Sequence, residues 1–247
     1  MPFSDTLVRR LARAQRVAIL TGAGISAESG VPTFRDADGL WQKFRPEELA
    51  NVRAFLRNPE LVQGWYAHRG DIIREVAPNP GHYALAELER MKPHVHLATQ
   101  NVDVLHLQAG STNVAELHGN LRRIYCIDCE TPADEHDLVV IEEGQTARCT
   151  ACGGLLRPDV VWFGEMLPHD AYAAAYLAAR QAEVYLSVGT SGAVYPAAGL
   201  PIEAKRNGAY VAEINIQPSE IASQLDETVL GKAGEVLPAL LQAVADF

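Results

Sequence analysis

Residues 17–27 read VAILTGAGISA, and the join between their two halves decides the fold. Val17 to Leu20 is a short apolar run with a strand's composition, and no hairpin turn comes after it. Thr21-Gly22-Ala23-Gly24-Ile25-Ser26-Ala27 is a G-x-G-x-x-A turn, in which glycines let the backbone approach a pyrophosphate and the next helix offers free N–H donors.

Working outward, His94 to Ala98, Val184 to Val188 and Tyr210 to Ile214 repeat the pattern: short, apolar or β-branched, and succeeded by Gly, Thr, Gln or Asn. Helical periodicity runs through Phe3 to Gln15, Pro59 to Val76, His82 to Met91, Val102 to Gln108, Ala171 to Arg180 and Glu235 to Phe247. Strand and helix alternate, which predicts an α/β fold: a Rossmann-like, doubly wound parallel sheet whose ligands sit at the carboxyl ends of its strands. Residues 123–155 interrupt the order. They are rich in acids, Thr and Gly without a sheet-forming run of comparable length, so they read as an inserted zinc-ribbon module between 1–122 and 156–247.

The chain's four cysteines all fall in that insert, as Cys126-x2-Cys129, nineteen intervening residues, then Cys149-x2-Cys152. Two such knuckles complete a closed tetrahedral four-thiolate zinc shell with no open position, a structural site. Two disulfides are the alternative, and the region from Met1 to Arg16 does not resemble a secretory signal. At 247 residues, 48% hydrophobic, the chain can bury one sizeable core plus a small module. No apolar run reaches the roughly eighteen residues of a membrane span. The net charge of -10, with no Lys/Arg cluster, argues against nucleic-acid binding and suits a cationic protein partner. A cytoplasmic monomer without membrane contact is expected. The acids of the insert, Glu130, Asp134, Glu135, Asp137, Glu142 and Glu143, have no assigned purpose.

A dehydrogenase would place a second strand ending in Asp or Glu about twenty residues after the glycine turn. Here Gly30-Val31-Pro32-Thr33-Phe34-Arg35-Asp36 and Gly39-Leu40-Trp41 form a loop punctuated by Pro and Gly, so nucleotide binding is expected without hydride transfer. The runs GAGISAESGVPTFRDADGLW (22–41), TQNVDVLHLQAGS (99–111), His118-Gly119-Asn120, VVWFGEMLP (160–168) and VGTSGAVYPAAG (188–199), together with the cysteines, resemble the sirtuins, NAD-dependent protein deacylases, over nearly the whole chain.

That resemblance implies NAD contacts from Gly22, Ala23, Gly24, Ser26, Ala27, Glu28, Thr33, Phe34, Arg35 and Trp41 in the first run. It adds Gln100, Asn101, Val102 and Asp103 for the nicotinamide and ribose, Gly189, Thr190, Ser191, Asn215, Ile216 and Gln217 at two later strand ends, and Ala233 on the adenine side. It makes His118 the general base, with Asn101 as a second catalytic residue, in a reaction that consumes NAD. The acyl-lysine oxygen attacks ribose C1′ as nicotinamide leaves. The imidazole then accepts a proton through the ribose hydroxyls, and lysine, nicotinamide and 2′-O-acyl-ADP-ribose are the products. Read alone, Asn101 or Asp103 also suits a helix cap. Val161, Phe163 and Gly164 are implied to hold the acylated lysine of another protein by strand addition, where the residues alone also allow an ordinary buried strand.

Tyr66 and Arg69 lie three apart on a predicted helix and share a face. A guanidinium beside a phenol receives a carboxylate, useless for acetyl and favourable for succinyl or malonyl. The sirtuin branch removing acidic acyl groups carries a Tyr-x-x-Arg pair in this region. The plain alternative is an amphipathic helix with a snorkelling Arg and a packed Tyr. The rival function is protein mono-ADP-ribosyl transfer from the same NAD site.

Overall fold

The computed structural model describes residues 2–33, 49–138 and 145–247. Phe34, Arg35 and Trp41 of the expected nucleotide site lie outside them, as do Asp36, Gly39, Leu40, Glu142 and Glu143.

Strand β1 (Arg16–Thr21) is buried along all but its first residue, since both its faces are covered. It pairs in parallel with β2 (His94–Thr99) on one side and β7 (Val184–Val188) on the other. Beyond β2 lies β3 (Val114–Glu116), and beyond β7 lie β8 (Tyr210–Asn215) and β9 (Glu227–Leu230), giving a six-stranded parallel sheet in the order β3-β2-β1-β7-β8-β9. The strand order reverses between β1 and β7, the place at which such sheets form a ligand crevice outside their carboxyl ends.

Alternate residues of β1 divide two cores. Val17 and Ile19 face α1 (Asp5–Arg13), α5 (Pro80–Met91) and α9 (Ala233–Ala245), while Ala18 and Leu20 face α7 (His169–Gln181) and α8 (Leu200–Arg206). Helix α1 starts where Ser4 Oγ accepts the Leu7 N–H at 3.1 Å, and it buries Leu7 and Leu11, one turn apart, at about 2 kcal/mol each. Helix α5 starts at Asn79, whose side chain accepts the Gly81 N–H, with Pro80 in the first turn. The short helix α2 (Ala23–Ser26) begins directly after Gly22.

A second body packs on the segment after β2 through Val102 and Val104. Helices α3 (Val52–Arg57) and α4 (Pro59–Glu75) bury Phe55, Val62, Trp65, Tyr66 and Ile73 against Leu121 and Trp162. Beside them β5 (Pro132–Ala133), β4 (Gly119–Cys126) and β6 (Leu156–Val160) form an antiparallel sheet, whose core is Ile124, Cys126, Cys149 and Leu156. Strand β4 is eight residues long and begins at Gly119, and only its last four residues, 123–126, lie inside the expected insert of 123–155. Its adjacent Arg122 and Arg123 are exposed, and they interrupt the apolar pattern by which a strand is read. The four long strands expected for the main sheet are present within a residue at each end, and β3 and β9 are additions of three and four residues.

Candidate active site

The glycine turn is closed by another loop. Gly22 N–H donates to the Val188 carbonyl at 3.0 Å and Gly24 N–H to that of Gly189 at 2.8 Å. A Cβ on Gly24 would stand 2.7 Å from Gly189 Cα, and one on Gly189, at φ +61°, would stand 2.4 Å from the Ile25 nitrogen. These glycines let the ends of β1 and β7 touch, a use the motif alone does not reveal. The same contact presents a side-chain-free backbone at the crevice, a cradle that suits a dinucleotide.

Behind the turn lies a buried polar network. Ser26 Oγ donates to Asp103 Oδ2 at 2.6 Å, lies 3.3 Å from His82 Nε2, and accepts from Asn101 Nδ2 at 3.1 Å. Asn101 also donates to the Gly22 carbonyl at 3.2 Å, and Asp103 Oδ1 accepts the Leu105 N–H at the start of α6 (Leu105–Gln108). Asp103 thus serves both readings, cap and site. Burial pushes its carboxyl up, and the Ser26 and Leu105 bonds offset only part of that. Between them Val104 holds φ +60°, a left-handed conformation that costs a β-branched residue energy and persists where surroundings over-determine it. His82, His106, Thr21 and Thr99 complete the network, with Thr21 Oγ1 2.8 Å from Thr99 Oγ1 and 2.9 Å from His106 Nε2. None of these four was singled out in the sequence. The Asn79-Pro80 cap signal before His82 could have found one.

Three strand ends are tied together across the crevice: Gln100 Nε2 donates to Thr190 Oγ1 at 3.0 Å, and Asn215 Nδ2 to the Thr190 carbonyl at 2.9 Å. Ser191 Oγ accepts the Ala193 N–H, and Ile216 and Gln217 are exposed past β8. Glu28 is turned to another task, its carboxylate accepting the Gly234 N–H at 2.8 Å beside Ala233 at the start of α9. Ala27 is exposed next to it, and Thr33 is half-buried at the edge of the described segment. The Val102 carbonyl accepts the Leu121 N–H.

His118 sits between β3 and β4. Its Nδ1 lies 3.0 Å from the Gln100 carbonyl, which can only accept, so the neutral ring carries its proton on Nδ1 and keeps Nε2 as an acceptor. Burial holds its pKa below the ordinary value, with the Gln100 carbonyl opposing in part.

The segment from Val161 to Glu165 departs from the expected strand-like stretch. Strand β6 ends at Val160, Glu165 N–H donates to the Trp162 carbonyl, and Gly164 at φ +90° completes a tight turn. The N–H groups of Val161 and Phe163 are spent on the His118 and Ala50 carbonyls, at 2.9 and 2.8 Å. Trp162 is buried while the Phe163 side chain is 53% exposed. Arg157, itself buried, holds this turn: it stacks 3.6 Å over the Trp162 ring and forks onto both Glu165 oxygens at 2.6 and 2.9 Å. Burial pushes the Glu165 carboxyl up, but Arg157 and the Trp162 N–H outweigh it and hold it below its ordinary range.

Tyr66 is 4% exposed, and its hydroxyl oxygen accepts the Trp162 Nε1–H at 2.8 Å, leaving its own O–H to donate elsewhere. Burial is the main cause keeping that phenol protonated. The Arg69 guanidinium stacks over Trp65 at 5.0 Å, and burial pulls its pKa down, with Tyr66 and Asp103 opposing in part.

The four cysteine sulfurs lie within 4.8 Å of one another, with Cys126–Cys152, Cys129–Cys149 and Cys129–Cys152 at 3.4, 3.7 and 3.3 Å. A disulfide needs about 2.05 Å. A tetrahedral shell with Zn–S near 2.3 Å sets sulfurs about 3.8 Å apart, so the donor set fits zinc. The two knuckles match: Glu130 N–H returns to the Cys126 carbonyl and Gly153 N–H to that of Cys149, and both residues have positive φ, 57° and 78°.

The sequence profile of the Sir2 family matches residues 22–196. The NAD-dependent protein deacylase 2 of Pyrobaculum aerophilum is 52% identical over 95% of this chain and 93% of its own length. The NAD-dependent protein deacylase of Pyrococcus furiosus is 51% identical over 95% of both. A crystal structure of a Sir2 homolog–NAD complex superposes with a TM-score of 0.92 at 44% identity, covering 99% of this chain and 94% of that one.

Proposed function

This chain belongs to the Sir2 family and is an NAD-dependent protein deacylase, and from that premise we propose that it takes succinyl and malonyl as well as acetyl groups from lysines of other proteins. NAD supplies a ribose carbon from which nicotinamide departs, and the acyl group ends on the ribose 2′-oxygen. One NAD and one water are consumed per lysine freed, with nicotinamide and 2′-O-acyl-ADP-ribose as products.

The cradle of Gly22, Ala23, Gly24 and Gly189 would hold the pyrophosphate, and Thr190, Ser191, Asn215, Ile216 and Gln217 the adenosine end. Gln100, Asn101 and Asp103 suit the nicotinamide and its ribose. The Ser26–Asn101–Asp103 bonds fix the Asn101 amide before any ligand arrives, so it can orient without reorganising. His118 is the base. The observation that carries this role is the Gln100 carbonyl on Nδ1, which leaves Nε2 to take a proton from a ribose hydroxyl. Phe163 and Gly164 would line the lysine's path, while the buried Trp162 and Tyr66 exclude water beneath it. With the Val161 and Phe163 N–H groups already engaged, strand addition would draw on this turn's other backbone groups. Mono-ADP-ribosyl transfer is not favoured, since the similar archaeal proteins are deacylases by name.

The acidic-acyl preference rests on the Tyr66 O–H, for which the described residues show no acceptor, one helical turn from Arg69. A charge-assisted contact of this kind is worth about tenfold to a hundredfold in kcat/KM. Arg69→Met should therefore lose far more activity on a succinyl peptide than on the matched acetyl peptide, with mass spectrometry identifying the acyl-ADP-ribose formed. Equal losses on both would remove the preference. We further read residues 123–155 as the zinc-carrying unit, and the protein as a cytoplasmic monomer. Among the described residues no helix is long and apolar enough to cross a membrane.

A further inference from the structure

Gln63 lies on α4 one turn before Tyr66 and is 0% exposed. Its side-chain amide behaves as an extra strand peptide. Nε2 donates to the Ala147 carbonyl at 2.9 Å and the Leu156 carbonyl at 2.7 Å, and Oε1 accepts the Ala147 N–H at 2.8 Å. Both donors and one acceptor are used, so little rotation is left to this side chain. The two residues it grips flank the metal knuckles: Ala147 is two before Cys149, and Leu156, the first residue after the module, is the cross-strand partner of Cys126. Next to Leu156, Arg157 stacks on Trp162, whose indole N–H holds the Tyr66 oxygen. Helix α4 is therefore pinned to β6 twice, directly at Gln63 and through Arg157 and Trp162 at Tyr66.

We propose that Gln63 is a specificity-positioning residue, which uses the cysteine module as a fixed anchor to set the Tyr66–Arg69 face against the acyl group. The reason is geometric. Selecting a carboxylate requires the guanidinium and phenol to be placed within about 0.5 Å, whereas a methyl group tolerates looser walls. Among the described residues the side-chain hydrogen bonds of Gln63 go to Ala147 and Leu156 and to no member of the crevice network, so its loss falls on the face that α4 presents. The inference rests on the acidic-acyl reading of Tyr66 and Arg69.

The test compares wild type, Gln63→Met and Arg69→Met, all zinc-loaded, on matched succinyl and acetyl peptides. A second readout is the rate at which a chromogenic chelator strips zinc from each. For Gln63→Met the succinyl-to-acetyl ratio of kcat/KM should fall about tenfold, through the KM for the succinyl peptide, with the KM for NAD within about twofold. Zinc should leave faster, because the segment before Cys149 has lost two bonds and Leu156 a third. In the Gln63→Met/Arg69→Met double variant the effects on the ratio should be less than additive. A ratio unchanged by Gln63→Met but lowered by Arg69→Met overturns the proposal and spares the acyl reading. A ratio unchanged by Arg69→Met refutes the acyl reading, and the proposal falls with it. Should Gln63→Met fail to fold, Gln63→Glu keeps the Ala147 N–H acceptor, loses the donated bonds when ionised, and is judged by the same readouts.

Discussion

His118 shows how one hydrogen bond can settle a side chain's role. Sequence context alone separates it from the seven other histidines. In the fold its Nδ1 is committed to a carbonyl, so Nε2 is the basic atom, and replacing the ring removes proton transfer without unpacking the core. His118→Ala should lower kcat about a hundredfold or more while NAD still raises the melting temperature. An activity near wild type would show that another group takes the proton. The pH profile carries a sign as well. Burial favours the neutral ring and so puts the folded pKa below the ordinary value. The base is then active throughout the neutral range, and the acid limb of kcat/KM should lie below about pH 6.5. A limb at or above that pH would contradict the burial of this ring. Glu28 carries a structural contact that its motif does not announce: its carboxylate accepts the Gly234 N–H at the start of α9.

At the scale of elements, what could be read was set by burial. Strands β1, β2, β7 and β8 are largely buried and appear as mainly apolar runs, broken only by His96 in β2, Ser187 in β7 and Glu213 in β8. Strands β3 and β9 are too short for any period to register, and β4 shows solvent its two arginines. The cysteine spacing was legible because metal geometry constrains it locally. The Val161–Glu165 turn was not, because what shapes it is Arg157, whose pairing with Glu165 depends on β6 ending where it does. Arg157→Ala would leave Glu165 without its partner and Trp162 without its stacking cover. The expected cost is about 3 kcal/mol, which for a chain of this size is a fall of about 6 °C or more in melting temperature. The KM for acyl-peptide should rise more than that for NAD, since the proposed path of the acyl-lysine runs along this turn. A melting temperature within a degree of wild type would mean that the turn is held by other contacts.

For the whole molecule, the buried polar centre between the glycine turn, α5 and α6 links function to global stability. The runs around the glycine turn and over 99–111 stand out in the sequence, but their meeting with His82 does not, because these three segments come together only when the sheet assembles. His82 is fully buried and His106 nearly so, with ring centroids 4.9 Å apart. Burial pulls His82 down to about 4 and His106 to about 3, the latter also repelled by a charge on His82. In the unfolded chain both take a proton near pH 6.5. Their contribution is therefore fully present above pH 6.5 and is lost as pH falls toward their folded values, by about 2 to 3 kcal/mol per histidine at pH 4.5. Asp103 works in the opposite sense. Its raised pKa makes the folded state hold a proton more tightly, which stabilises as pH falls, but it is one group against two. His106→Gln keeps a polar atom for Thr21 and cannot be protonated. Unfolded in urea at pH 7, it should be the less stable protein, having lost a packed ring. Between pH 7 and 4.5, however, it should lose markedly less stability than wild type. An equal loss in both would place the acid-sensitive centre elsewhere in the fold.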